Sequence, residues 1–367
     1  MIDSSLVNRV MELAISIQQI PAPTFAEGDR AAFMQSCFSE EELSDISMDQ
    51  TGNVFARLPG KTSERPGILS AHLDTVFPAG TSLAVSRQRD RIAGPGIGDN
   101  AVGLAGLIGL LWVLRRRKIS LDNDLWLVAN VGEEGLGDLR GMRAVVDRFR
   151  DAPKAYIVLE GMALGQIYHR GLGARRYQIA VQTPGGHSWV NHGQPSAVHE
   201  LVALANNLLA FALPDQPRTT LNLGVIAGGM SVNTIAPEAY LEIDLRSEEL
   251  PSLASLSKQV EDLVKSLNRP GVRTQARLIG QRPVGEIPSK HPLVVLASRA
   301  LEAAGIQPRY NIGSTDANIP LSCGLPAICL GLTTGNGAHT LEEYVHLHPL
   351  AQGLDQLAWV IEGLDRL

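Results

Sequence analysis

The sequence predicts an α/β protein in two parts. One is a layered domain with a mostly parallel mixed sheet between helices, and the other is an inserted α+β domain with an antiparallel sheet and two helices. Two textures carry that reading. From about residue 66, short apolar runs alternate with longer helical ones (GILSAHLDTV, AVGLAGLIGLLWVLRRR, DLWLVANV, LRGMRAVVDRFR, AYIVLEG), the rhythm of a layered α/β domain. From about 173 to 284 the runs become half-buried strands of period two (RRYQIAVQT, TLNLGVIAGG, AYLEIDLRS), interleaved with the helical stretches PSAVHELVALANNLLAFAL and PSLASLSKQVEDLVKSL.

Taken in order, MIDSSLVNRVMELAISIQQI is an amphipathic helix with Asp3 or Ser4 as its N-cap. ILSA, LWLVANV and YIVL are buried strands, and the glycine-rich VGLAGLIGLLWVL is a helix opened by GPGIGDNAVG. Beyond the insertion, HPLVVLASRALEAAG reads as a helix, LPAICLGL as a buried strand and LAQGLDQLAWVIEGLDRL as a closing helix. Residues 1–172 and 285–367 therefore make one domain, and 173–284 the other.

Of the 367 residues, 44% are hydrophobic and 19% charged, and 32 basic side chains against 38 acidic ones give a formal charge of -6. That balance belongs to a folded chain. It argues against nucleic acid or an anionic membrane as the main partner, so a small soluble substrate is expected. The first residues lack the basic flank and apolar core of a secretion signal, and VGLAGLIGLLWVL is short for a bilayer, so a cytoplasmic protein is expected. Three cysteines (Cys37, Cys323, Cys329) without a CxxC give neither a disulfide framework nor a thiolate zinc site. Any metal falls to histidines and carboxylates.

Ligands of open α/β sheets bind beyond the carboxyl ends of the strands. Here ILSA ends in His72 and Asp74, LWLVANV in Gly132-Glu133-Glu134-Gly135, and YIVL in Glu160, while AICLGL leads into a loop that reaches His339. Asp99 opens the glycine-rich helix. Each has a structural alternative: a core histidine, a solvated turn for the paired glutamates, an N-cap for Asp99. Spacing favours chemistry. On a strand, residues i and i+2 share a face, so Asp74 can accept from one nitrogen of His72 while the other binds metal. Adjacent glutamates diverge, so one can bind a metal while its neighbour handles protons.

No HExxH, GxxxxGK[ST] or GxSxG occurs. Gly96-Ile97-Gly98-Asp99-Asn100-Ala101 fits the GxGxxA dinucleotide pattern and keeps a nicotinamide-dependent oxidoreductase as the alternative from another class. Against it, RQRDRIAGP is no buried strand, and Asp99 sets a carboxylate where pyrophosphate would approach.

The ordered set HLD, GDN, GEEG, strand-end glutamate, GGHS and late histidine resembles the M20 family of co-catalytic zinc peptidases and deacylases, over nearly the whole chain. The resemblance implies two Zn2+ per subunit, with Co2+ or Mn2+ also suited to such donors. His72 and Glu160 would bind one ion, Glu134 and His339 the other, with Asp99 bridging them. Asp74 would orient His72, and Glu133 would be the general base for water activated by the two ions. The peptide bond Asp99–Asn100 would be cis.

The inserted domain would serve as a lid and dimerisation domain. Within TPGGHSW, His187 would reach a partner subunit's site and stabilise the developing oxyanion, with His192 a second candidate, although Trp189 replaces a commonly small residue. In MSVNTIAPEAYLEIDLRS, Asn233 and Arg246 would together clasp a substrate carboxylate. In IGSTDANIP, Gly313, Ser314, Thr315 and Asp316 would line the pocket, their helix start helping to hold an anion. Glutamate at position 160 implies the carboxypeptidase and deacylase branches. The expected reaction is hydrolysis of an amide beside a free α-carboxylate, on a short peptide or N-acyl amino acid, by a homodimer. Dipeptidase or tripeptidase activity is the alternative, and a non-catalytic metal-binding relative the remaining class.

Overall fold

Thr62–His72 is the strand around which the larger part of the chain is built. In the computed structural model, which describes residues 2–367, it lies parallel to Asn123–Asn130 on one side and Ala155–Glu160 on the other. Ala327–Gly331 continues the parallel set beside Ala155–Glu160. Ile68, Leu69, Leu127, Val128, Ile157, Val158, Ile328 and Leu330 are all buried. Successive residues on a strand face opposite ways, so both faces of these strands are covered, and that is why they read as unbroken apolar runs.

Antiparallel strands finish the sheet. Its order runs Ser44–Met48, Val54–Leu58, Asn123–Asn130, Thr62–His72, Ala155–Glu160, Ala327–Gly331, Gln166–Gly171, Gly285–Glu286, with Arg309–Gly313 also on Gln166–Gly171. The helix Val102–Arg117 packs on the central strands and on the helices Ser4–Gln18 and Leu350–Gly363. With the turn before it, this helix forms a stretch Ile97–Arg117 of 21 residues, long and apolar enough to cross a membrane, more than the apolar run alone suggests. Its place is the core: 89% of its apolar window is buried inside the protein. Asp3 is the N-cap of the first helix, its carboxylate accepting the Leu6 N–H at 3.1 Å.

The chain divides into two units at Gly171/Leu172 and Val284/Gly285. The smaller unit has its own four-stranded antiparallel sheet, in the order Thr219–Gly228, Glu238–Ser247, Gly173–Gln182, Arg273–Arg282. Tyr177, Ile179, Val181, Leu241, Ile243 and Leu245 alternate along two of these strands and bury a separate core with Leu201, Leu204, Leu256 and Val260 of the helices Ala197–Leu209 and Leu250–Ser266.

Gly353, on the closing helix, sits so close to the strand-end loop that a Cβ would collide with the Leu332 backbone carbonyl. Alanine would gain about 1 kcal/mol in helix propensity, whereas overpacking against an immovable backbone costs about 1–3 kcal/mol. The clash wins. Gly353→Ala is therefore expected to lower the urea midpoint of the protein, and a midpoint at or above wild type would show that the helix can shift freely.

Candidate metal centre

Four parallel strands that share a direction deliver their carboxyl ends to one edge. His72 stands opposite Asn130, Ser70 opposite Val158, and Gly331 opposite Glu160. That register brings His72, the segment after Asn130 that carries Glu133 and Glu134, Glu160, and the loop after Gly331 together. Asp99 enters from the turn before the long helix, and its bond to Asn100 is cis.

Asp99 presents one oxygen to each of two imidazoles. Its Oδ1 lies 3.0 Å from His72 Nε2 and its Oδ2 lies 3.1 Å from His339 Nε2. His339 Nε2 is also 3.1 Å from Glu134 Oε1, and His72 Nε2 is 3.8 Å from Glu160 Oε2. His72 is buried, and its Nε2 has no aligned hydrogen-bond partner despite the carboxylates around it. A buried nitrogen left unpartnered in this way is costly unless something else meets its lone pair. His72, Asp99 and Glu134 each offer a ligand atom, all within 4.8 Å of one another, a group that could hold a metal ion. Borderline imidazole and hard carboxylate donors suit zinc, manganese or cobalt.

Protonation shows the same crowding. Burial, above all, pushes Glu134 and Glu160 up to about 7, helped by the charges of Asp99 and Glu133 and opposed by the imidazoles. Asp99 and Glu134 push His339 up to about 10. Burial works against a proton on His72, yet Asp74, Asp99 and Glu160 outweigh it and raise that imidazole well above its usual value. Burial likewise opposes charge on Asp99, but the two histidines hold it below the usual carboxylate range.

Asp74 keeps its ion pair with His72 but not through the strand pleat, and the N-cap alternative for Asp99 does not hold. The strand ends at His72, so Asp74 is no longer its i+2 neighbour on a pleat. His72 Nδ1 lies 3.0 Å from the backbone carbonyl of Asp74 and 3.5 Å from its carboxylate. Beside that ion pair the carboxylate accepts the N–H groups of Glu133 and Glu134, both at 2.9 Å, and the Thr24 hydroxyl at 2.8 Å. Asp99 is not a helix cap: the helix begins at Val102 with Ala101 in the cap position, and the Asp99 carboxylate faces the two imidazoles. Both glutamates of the pair are buried, which removes the solvated-turn alternative.

Residues the sequence did not point to hold the site loops. Asn53 Oδ1 accepts the Val131 N–H at 3.0 Å, and Glu27 Oε1 accepts Gly132 N–H at 3.1 Å and Arg140 Nη2 at 2.7 Å. Glu343 takes the N–H groups of Gly96 (3.0 Å), Gly98 (2.6 Å) and Asp99 (2.8 Å). Those amides are the ones a pyrophosphate would need, so the GxGxxA reading loses its donors. Asn100 bridges to the next strand, donating to Leu159 O at 2.8 Å and accepting from Gly161 N at 3.0 Å. Gly161 has to be glycine for that approach, since a Cβ there would collide with the Gly98 carbonyl.

Gly313 ends the strand Arg309–Gly313, and the helix after it, Asn318–Ser322, has only five residues. Asp316 is buried, with Oδ2 accepting from Asn130 Nδ2 at 2.6 Å. In the smaller unit, Gly186–His187 pairs with Thr234–Ile235, and Ser188 N–H donates to Asn233 O at 3.0 Å, so His187 and Asn233 are neighbours. His187 is exposed, its Nδ1 accepting from Trp189 N at 3.2 Å. Arg246 lies seven residues along its strand from Ala239, about 23 Å at about 3.3 Å each, and its Nε donates to Asp244 at 2.6 Å. Arg246 therefore stands well along the strand from the end where His187 and Asn233 meet.

A parallel-centred sheet that gathers imidazoles and carboxylates at its carboxyl edge is the arrangement of a metal-type hydrolase. The chain matches the description Peptidase family M20/M25/M40 over residues 68–362 and belongs to that family, whose members hydrolyse amide bonds. It is 27% identical to the Mycobacterium tuberculosis protein named "Putative succinyl-diaminopimelate desuccinylase DapE" over 362 residues, 96% of this chain and 98% of that one. Its fold is that of aminopeptidase PepT from Bacillus cereus (TM-score 0.77, 22% identity, 99% of each chain). It is also that of the Bacillus subtilis YXEP protein, described as a dinuclear metal binding peptidase from the M20 family (TM-score 0.69, 15% identity, 98% of each chain).

The raised groups predict how the metal-free protein responds to pH. A folded pKa above the unfolded one stabilises below the unfolded value and is lost as pH rises through the folded value. For Glu134 and Glu160 that window runs from 4.5 to about 7, and for His339 from 6.5 to about 10. The lowered groups Asp74 and Asp99 have given their full contribution above an ordinary aspartate pKa of 3.8. In chelator, the thermal midpoint is expected to fall between about pH 5 and about pH 9. A midpoint that is flat or rising over that range would contradict the crowding described here.

Proposed function

We propose that this protein is a dinuclear-metal amide hydrolase that releases an amino acid from a short peptide or N-acyl amino acid with a free α-carboxylate. The supporting observation is Asp99, with one oxygen at 3.0 Å from His72 and the other at 3.1 Å from His339. In this reading His72 and Glu160 hold one ion, Glu134 and His339 the other, and Asp99 serves both. Zn2+ is the proposed metal, two per subunit, with Co2+ or Mn2+ accepted by the same donors. When bound, the ions supply positive charge that polarises the scissile carbonyl and acidifies the attacking water.

The chain's own groups do the rest. Glu133 is proposed as the general base, because its neighbour Glu134 is engaged beside His339 while Asp74 fixes the backbone of both. It takes a proton from water and returns it to the leaving amine. Asp74 acts as a positioning residue. His187, neighbour to Asn233, is proposed to stabilise the oxyanion in trans, through a homodimer formed by the smaller unit, whose exposed Val202, Leu209, Val225 and Ile226 support such an interface. Gly313, Ser314 and Arg246 are proposed to meet the substrate separately from that pair. The desuccinylase name carried by the Mycobacterium tuberculosis relative favours an N-acyl substrate over a plain dipeptide. Three free cysteines, two of them buried, suit a cytoplasmic location.

Chelation is expected to abolish hydrolysis reversibly across a panel of N-succinyl and N-acetyl amino acids, folates, dipeptides and tripeptides. Turnover that persists without metal would refute the mechanism. Glu133→Gln should cost about 10²–10⁴-fold in kcat with both ions still bound by metal analysis; loss of metal would make Glu133 a ligand instead. Sedimentation at micromolar concentration should report a dimer, and a monomer at all concentrations would remove the trans histidine.

A further inference from the structure

His339 and Glu343 leave the same loop, which runs from Gly335–Asn336 to its partner strand Tyr344–His346. Only one of the two faces the imidazole cluster. Glu343 is fully buried and turns into the segment that carries Asp99, where its two oxygens take three backbone N–H groups, those of Gly96, Gly98 and Asp99. Its own carbonyl accepts the Gly94 N–H at 2.8 Å, and Tyr344–His346 pairs antiparallel with Arg91–Ala93. No basic side chain pairs with Glu343 among the described residues, so backbone amides alone compensate its burial.

Asp99 is thus held from two sides by two different residues. Toward Glu160, the fastener is Asn100, bonded to Leu159 O and Gly161 N. Toward His339, it is Glu343. His339 needs the help more: it is half exposed and sits at a positive φ of 65°, whereas His72 is buried at the end of a central strand.

We propose that Glu343 is a positioning residue for one cation in particular: by tying the His339 loop to the Asp99 turn, it sets the spacing of Asp99, His339 and Glu134 and hence the affinity of the ion they share. The ion at His72 and Glu160 shares Asp99 as well, but it has the buried His72 and the Asn100 bonds to keep its spacing, so it depends on Glu343 far less. This rests on the two-ion reading of the cluster, and it adds a division of labour among the supporting residues.

The test is a stepwise Zn2+ titration of the chelated full-length protein against a chromophoric competitor, for wild type, Glu343→Gln and Glu343→Asp. Glutamine keeps the shape but turns an N–H donor toward one of the three amides; aspartate keeps the charge but falls short. Both variants are expected to bind the first equivalent as wild type does and the second about 10–100-fold more weakly. Equal weakening of both equivalents, or no weakening of either, overturns the proposal, because a residue that merely supports the fold would not select between them. Should glutamine prevent folding, as judged by near-ultraviolet circular dichroism, aspartate carries the same comparison. A wild type that binds fewer than two ions removes the two-ion reading itself, an outcome separate from the two above.

Discussion

Backbone N–H groups ending on buried side-chain acceptors hold this site in shape. Val131, Gly132, Glu133 and Glu134 form one unbroken stretch of donors, taken in turn by Asn53, Glu27 and the two oxygens of Asp74. Gly96, Gly98 and Asp99 form a second, taken by Glu343. Neither stretch is regular helix or strand, so neither could satisfy its amides from within. Where the acceptor is ionised, such bonds are shorter and stronger than neutral ones. The side chains that face the cluster are thereby attached to backbone that has little freedom to move, which is what a set of converging donors requires.

Such economy concentrates negative charge. Asp74, Asp99, Glu133, Glu134, Glu160 and Glu343 lie in or beside one cluster, and the nearby buried cation is Arg30. Arg30 donates to Leu73 O at 2.7 Å and twice to Ile20 O, spanning the turn that follows His72. Burial lowers its pKa to about 10, with the Asp74 charge pulling the other way, so the guanidinium stays charged at neutral pH. Even with the imidazoles of His72 and His339 raised toward their charged forms, one guanidinium does not balance six carboxylates. The remaining imbalance appears as protons retained on Glu134, Glu160 and Glu343, each raised to about 7 chiefly by burial. At Glu134 and Glu160 divalent cations would take the place of those protons, since carboxylate ligands bind in their deprotonated form.

Much of the architecture is visible in the sequence, and the reason is physical. Parallel strands covered on both faces, such as Ala155–Glu160 and Ala327–Gly331, must be apolar throughout, so the first polar residue beyond each run marks its carboxyl end. His72, Glu134, Glu160 and the loop of His339 could be placed at one edge on that basis alone. What stayed hidden depends on where local geometry stops. Alternation assigns Asp74 to His72, but the strand ends at His72, two residues short, and the carboxylate divides itself between that imidazole and the amides of the next loop. Glu343 sits beside Glu342 in a polar stretch, and nothing in the pattern separates the buried glutamate from its exposed neighbour. Asn233 and Arg246 lie thirteen positions apart in sequence, yet a long strand carries them to opposite ends of the smaller unit.

The pairing of Gly171 with Gly285, and of Arg170 with Glu286, means that the chain leaves the large sheet and re-enters it at adjoining points. A ribosome making this protein would therefore release an unfinished sheet first, then an independent small body, and only afterwards the strand Ala327–Gly331 and the loop with His339 and Glu343. Until that segment emerges, Asp99 has neither its second imidazole nor the carboxylate that fastens its turn. Competence to capture metal would therefore wait until the chain beyond the inserted unit has been made.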